Sequence, residues 1–188
     1  MNTRENWLTE VLHKHIAALL LEKAGVALPT DVKVSVGFPG GGSARKRIGE
    51  CWPRARSSQR VNEIFINPAI RDVGVVVDVL VHEAIHAADD CKSGHKGFFR
   101  KTAKAVGLTG KMTATTAGPE LRGWIEQTIA AMGGFDSYAS LSLDGRKKQS
   151  TRMVKVVCPC CDYMVRTTQK WLMVGLPKCP SGYEMEAA

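Results

Sequence analysis

The sequence predicts an α+β fold, from helices with apolar faces, short alternating strands and a pair of histidines four residues apart on the most apolar helix. Residues 72–90 form a Pro-free run that is apolar on most faces, too long for an ordinary strand and therefore read as a buried helix. Val32, Val34 and Val36 alternate with Lys33 and Ser35, the signature of a half-buried strand. Residues 48–52 and 61–67 read as a hairpin joined by an arginine-rich loop.

The elements follow in chain order. A first amphipathic helix spans about residues 3–24, with Trp7, Val11, Leu12 and Leu19 for the core and Gly25 and Pro29 as its stop. His13 and His15 lie on it without a ligand role. Pro39-Gly40-Gly41-Gly42 is a turn; it lacks the Gly-Lys-Ser/Thr ending of a phosphate loop. Asp72 is placed to cap the buried helix. Gly94 permits a turn into a second helix over about residues 95–106. There His95, Phe99, Thr102 and Val106 form an inward stripe, and Lys96, Arg100 and Lys104 a basic one. Pro119–Met132 is a further amphipathic helix, with Gly133-Gly134 as its stop.

The buried helix carries His82-Glu83-Ala84-Ile85-His86. Residues four apart on a helix share a face about 6 Å apart along the axis, so two imidazoles can meet on one zinc ion. Glu83 then reaches the metal's water as a general base. Burying two histidines and an acid among valines is costly without partners, and a metal supplies them. A catalytic zinc needs a third protein ligand and keeps a fourth position for water. His95 is the preferred third ligand because zinc favours imidazole; Glu120 and Glu126 are the alternatives. Metzincin spacing is excluded, since its glycine and third histidine would fall on Asp89 and Lys92.

These residues resemble the SprT-like zinc metallopeptidases, in the versions found in bacteriophages and prophages. The resemblance runs through Glu63-Ile64-Phe65-Ile66-Asn67-Pro68, residues 79–87, Gly94-His95 with Phe99, and Gly110-Lys111-Met112-Thr113-Ala114-Thr115. It covers most of the chain after about residue 45. It implies a zincin-like fold with a small sheet beside the active-site helix, zinc on His82, His86 and His95, and Glu83 as the catalytic group. In zincins the edge strand beside the metal pairs with the substrate backbone, and the resemblance gives that role to the hairpin's second strand. The family includes proteases that digest proteins crosslinked to DNA.

Six cysteines occur, at 51, 91, 158, 160, 161 and 179. Cys51 and Cys91 read as free thiols. The tail cluster points to metal rather than disulfides, as a zinc-ribbon-like module with ligands Cys158, Cys161 and Cys179. Similar phage relatives carry a further cysteine where this chain has Ser181. Cys160 is the candidate fourth ligand; the alternatives are a site completed by water and a ribbon without metal.

At 188 residues and 44% hydrophobic content, the chain holds one good-sized domain and a small appendage. The division expected is a metallopeptidase domain over 1–133, a polar basic linker over 134–152 and the ribbon over 153–188. No apolar run reaches the roughly 20 residues of a membrane span, and no signal-peptide layout is seen, so a cytoplasmic location is expected (host cytoplasm if phage-encoded). The net charge is +8. Arg45, Lys46 and Arg47 crowd the hairpin, and Arg146, Lys147 and Lys148 the approach to the ribbon. Such patches attract DNA phosphates, beside a protein substrate. The expected activity is therefore zinc-dependent hydrolysis of peptide bonds in proteins associated with DNA. The competing reading is a nucleic-acid-binding or transcription-associated factor whose histidine-site zinc is structural.

Overall fold

Apolar spacing decides what the larger of two units buries. The structure is a computed structural model that describes residues 3–40, 47–135, 141–142 and 153–187. The chain divides into the units Met1–Leu143 and Asp144–Ala188.

In the first unit, Thr3 caps a helical run by accepting the Asn6 N–H at 3.2 Å. The run is α1 (Arg4–Glu10), a π-helical stretch (Val11–Ile16) and α2 (Ala17–Ala24), where the sequence predicts one regular helix. Trp7, Leu8, Val11, Leu12, Ile16 and Leu20 are buried along it. Gly25 ends it at φ 65°, a left-handed cap that favours glycine. His13 Nε2 lies 2.9 Å from the Val32 carbonyl oxygen and, among the described residues, takes no part in a metal cluster.

The strands β1 (Lys33–Val36), β2 (Gly49–Trp52) and β3 (Glu63–Ile66) form one sheet in the order β1-β3-β2. β3 runs parallel to β1 and antiparallel to β2. The register sets Val34, Val36, Gly49, Cys51, Ile64 and Ile66 on one face, towards the core. The expectation that the hairpin's second strand offers a free edge is corrected here. β3 is central and paired on both sides, because β1 returns parallel beside it; the edges are β1 and β2, of which β2 lines the cavity over the histidines.

α3 (Val73–Ala88) packs on β2 and β3, and its N-cap Asp72 accepts the Val75 N–H at 2.9 Å. Val76, Val77, Leu80, Val81, Ala84 and Ile85 are fully buried on it. Each such Val, Leu or Ile contributes about 1.5–3 kcal/mol, which offsets the cost of holding Glu83 in the same interior. α4 (Gly97–Ala105) is shorter than expected, since His95 stands before it in a turn. Gly94 and Gly97, at φ 52° and 42°, bend the chain there. β4 (Leu108–Lys111) and β5 (Ala114–Ala117) pair as an antiparallel hairpin that the polar, threonine-rich sequence does not announce. α5 (Pro119–Met132) closes the unit with Pro119 in its first turn. Chain beyond the Gly133-Gly134 stop still belongs to this unit: Phe135 packs edge-on against Trp7 at 5.2 Å, and Leu141 N–H donates to the Pro68 carbonyl.

The second unit contains β6 (Met153–Val157), β7 (Met164–Thr168), the short helix α6 (Gln169–Leu172) and β8 (Glu186–Ala187), with strand order β7-β6-β8. Its buried residues are Val156, Cys158, Cys179 and Met185, packed by Val165 and Leu172. So small an apolar core needs a further source of stability. The fold is thus mixed α+β. Among the described residues no helix is long and apolar enough to cross a membrane.

Candidate metal centre

The helical period sets His82 and His86 on one face of α3, and the turn before α4 brings His95 to them. His82 Nε2 and His86 Nε2 each lie 3.2 Å from His95 Nε2. Phe99, fully buried on α4, packs against all three rings and stacks on that of His86 at 4.4 Å and 24°. Packing on one aromatic face locks the three imidazoles.

His82 Nδ1 lies 2.8 Å from Thr115 Oγ1, and when Nδ1 donates to that hydroxyl, Nε2 presents a lone pair. Burial, then the neighbouring His86 and His95, holds His82 down to about 3, and burial, then His95, holds His86 down to about 4. The rings are therefore neutral near pH 7, with three ring nitrogens converging on one point. A cation relieves that crowding, and the His82, His86, His95 group can hold one. Glu120 instead pairs with Lys23 at 3.0 Å, and Glu126 is outside the cluster.

Glu83, one position on from His82, turns towards β2. Burial, then Glu50, raises its carboxyl to about 8, against the opposing pull of Arg47 and a hydrogen bond from the Cys51 backbone N–H. Gly49 makes room for it: a Cβ there would sit 2.5 Å from Val79 Cγ1 and 2.7 Å from Glu83 Oε1. A cavity of about 490 Å³ opens over the histidines and Glu83, with β2 and Thr115 in its walls.

Asp78, one turn before His82, accepts the Ala117 N–H at 3.0 Å. It pins β5 to α3 two residues from Thr115, so one helix face holds the strand that orients His82. Gly49, Asp78 and Thr115 were missed in the sequence; only the run Gly110 to Thr115 hinted at the last.

Arg47 pairs with Glu50 and donates to the Gly40 carbonyl at 3.2 Å, at the cavity's rim. Arg45, Lys46, Arg146, Lys147 and Lys148 lie outside the described residues. Lys96, Arg100 and Lys104 are exposed and line a second groove of about 640 Å³ that shares His95 with the metal cavity. None of the three is ion-paired among the described residues, and no Asp or Glu occurs from Cys91 to Pro119.

In the second unit all four tail cysteines converge, their sulfurs within 4.8 Å of one another. Cys158 and Cys160 approach to 3.1 Å, and the Cys160 N–H donates to Cys158 Sγ at 3.4 Å. Cys160 thus stands with Cys158, Cys161 and Cys179, in a chain whose Ser181 has no sulfur to give. Burial pushes the Cys158 thiol up, but hydrogen bonds from Cys160, the backbone of Cys160 and Cys161, and Cys179 outweigh it and leave the thiol at about 6. A thiolate at neutral pH is the form that binds metal, and this group too can hold an ion.

Compared with models of known protein families, with curated proteins and with solved structures, the chain gives no match. What the centre does is therefore argued from its chemistry.

Proposed function

We propose that the protein is a zinc-dependent peptidase of the SprT-like type, with a zincin-like first unit and a zinc-ribbon-like second one. The observation that carries this reading is the convergence of three imidazoles beside the buried carboxyl of Glu83, all in one cavity. The N···N separations of 3.2 Å support zinc. Tetrahedral ligands at zinc's bond length stand about 3.3 Å apart. Nitrogen donors also argue against calcium or magnesium.

When bound, zinc would supply Lewis acidity, polarising the scissile carbonyl and making water acidic near neutral pH. His82, His86 and His95 would hold it, with Thr115 fixing the His82 tautomer. Glu83 takes the proton of the attacking water at a carboxylate oxygen and delivers it to the leaving amine nitrogen. Burial and Glu50 raise this carboxyl above the usual range, which favours its holding that proton between the two steps. The edge strand β2 lies along the cavity and offers backbone groups to an extended substrate.

The substrate proposed is protein held on DNA. Supporting it, the unpaired cations of Lys96, Arg100 and Lys104 wall the groove next to the third ligand, where phosphates would find no competing acid. The second unit would use its four cysteines for a structural zinc, which its minimal core needs.

The test is Glu83→Gln. The variant should keep its full zinc content and lose cleavage of a DNA-bound protein, self-cleavage included. Cleavage at the parent rate would refute the mechanism.

A further inference from the structure

Cys51 and Cys91 are 40 positions apart in sequence, yet their Sγ atoms are 3.5 Å apart. Cys51 lies on the core-facing side of β2, and Cys91 lies in the turn that leaves α3. That approach is enforced by the backbone. Cys91 N–H donates to the His86 carbonyl at 2.8 Å, and its thiol donates towards the Cys51 carbonyl at 3.5 Å. Asp90 and Cys91 both take left-handed conformations, at φ 55° and 59°, which non-glycine residues rarely adopt. The Asp90 carboxylate accepts the Arg54 N–H at 2.8 Å and the Asn62 side-chain amide at 3.0 Å, fastening the turn to the end of β2. Both thiols are half-buried and open onto the cavity that holds the histidines and Glu83.

We propose that Cys51 and Cys91 are an oxidation site, converted by hydrogen peroxide into a disulfide that closes down the metal cavity. One sulfur attacks the peroxide O–O bond, giving a sulfenic acid and releasing water. The second sulfur then attacks the sulfenic sulfur; the S–S bond forms, the S–O bond breaks, and the oxygen leaves as a second water. The two thiol hydrogens end in water, and the two electrons go to the peroxide. The sulfurs must close by about 1.5 Å to reach bonding distance, and this draws β2 towards the end of α3. There is no slack alongside, because Gly49 already sits where no Cβ would fit. The bond itself is independent of the peptidase reading. Its consequence rests on it: a displacement near 1 Å in the strand that holds substrate costs on the order of a hundredfold in rate.

The experiment uses the full chain loaded with zinc, treated with hydrogen peroxide, quenched and digested for mass spectrometry. A Cys51–Cys91 crosslinked peptide should form and vanish with dithiothreitol. Closing a loop of this length should raise the melting temperature by roughly 10 °C, reversibly, and Cys91→Ser should abolish both effects. Peptide hydrolysis should fall at least tenfold on oxidation and return on reduction. Recovery of the two cysteines as separate peptides from oxidised, folded protein would overturn the proposal. A crosslink with unchanged hydrolysis would overturn the cavity-closing role. Absence of hydrolysis in the reduced chain would instead count against the peptidase reading, with the crosslink and melting shift still readable.

Discussion

Replacing Thr115 with valine tests whether the hydrogen bond behind His82 prepares the metal site. Thr115 Oγ1 is 2.8 Å from His82 Nδ1, and valine keeps the side-chain shape while removing the acceptor. With metal bound, the proton must sit on Nδ1, so the variant leaves a half-buried donor without a partner. That costs about 1–3 kcal/mol, equivalent to roughly 5- to 150-fold in zinc affinity. It agrees with the 10- to 100-fold typical of groups that orient a metal-binding histidine. Without metal the penalty is avoidable, because His82 can move its proton to Nε2 and donate to His95 at 3.2 Å. Competition with a chromophoric chelator at pH 7 should therefore show zinc affinity lowered about 10- to 100-fold. The melting temperature in excess chelator should change by no more than about 4 °C. Thr115→Ser should restore the affinity. A variant within twofold of the parent in zinc affinity would refute the argument.

Gly49→Ala should lower stability by about 1–3 kcal/mol, read as a shift in the urea midpoint, because its Cβ would meet Val79 and Glu83 at 2.5 and 2.7 Å. An unchanged midpoint would contradict the close approach of β2 to α3. Chelated protein should be most stable near pH 6.5. Below that, the unfolded histidines take up protons that folded His82 and His86 refuse until about 3 and 4, so stability falls with pH. Above it, folded Glu83 holds a proton until about pH 8 that the unfolded chain has already released, so stability falls as pH rises. Thermal melts across pH 4–9 in chelator check both limbs, and Glu83→Gln should remove the alkaline one. Elemental analysis should count two zinc ions per chain, and one after His95→Ala. Cys160→Ser should let a mild chelator strip the second ion; full retention would exclude Cys160 as a ligand.

Much of the centre is legible in sequence because it is local. Helix geometry alone puts His82 and His86 on one face and turns Glu83 aside, and the apolar residues around them mark the helix as buried. Gly94 signals the turn that returns His95, although the helix behind it starts two residues later than periodicity implies. The cysteine spacing likewise announces a metal cluster. It leaves the fourth ligand open, since neighbouring cysteines on one ion depend on a backbone turn that spacing does not describe.

What the residues determine by themselves are the helices, the strand alternation and the paired imidazoles, since each depends on a period of only a few positions. Tertiary structure alone decides that β1 returns beside β3, which makes β3 central and leaves β2 at one edge. It also decides that Thr115 meets His82 and that Cys51 meets Cys91. Those contacts join segments 33 and 40 positions apart. They arise only when packing of α3 against sheet and hairpin has fixed the distances, and no local pattern carries that information.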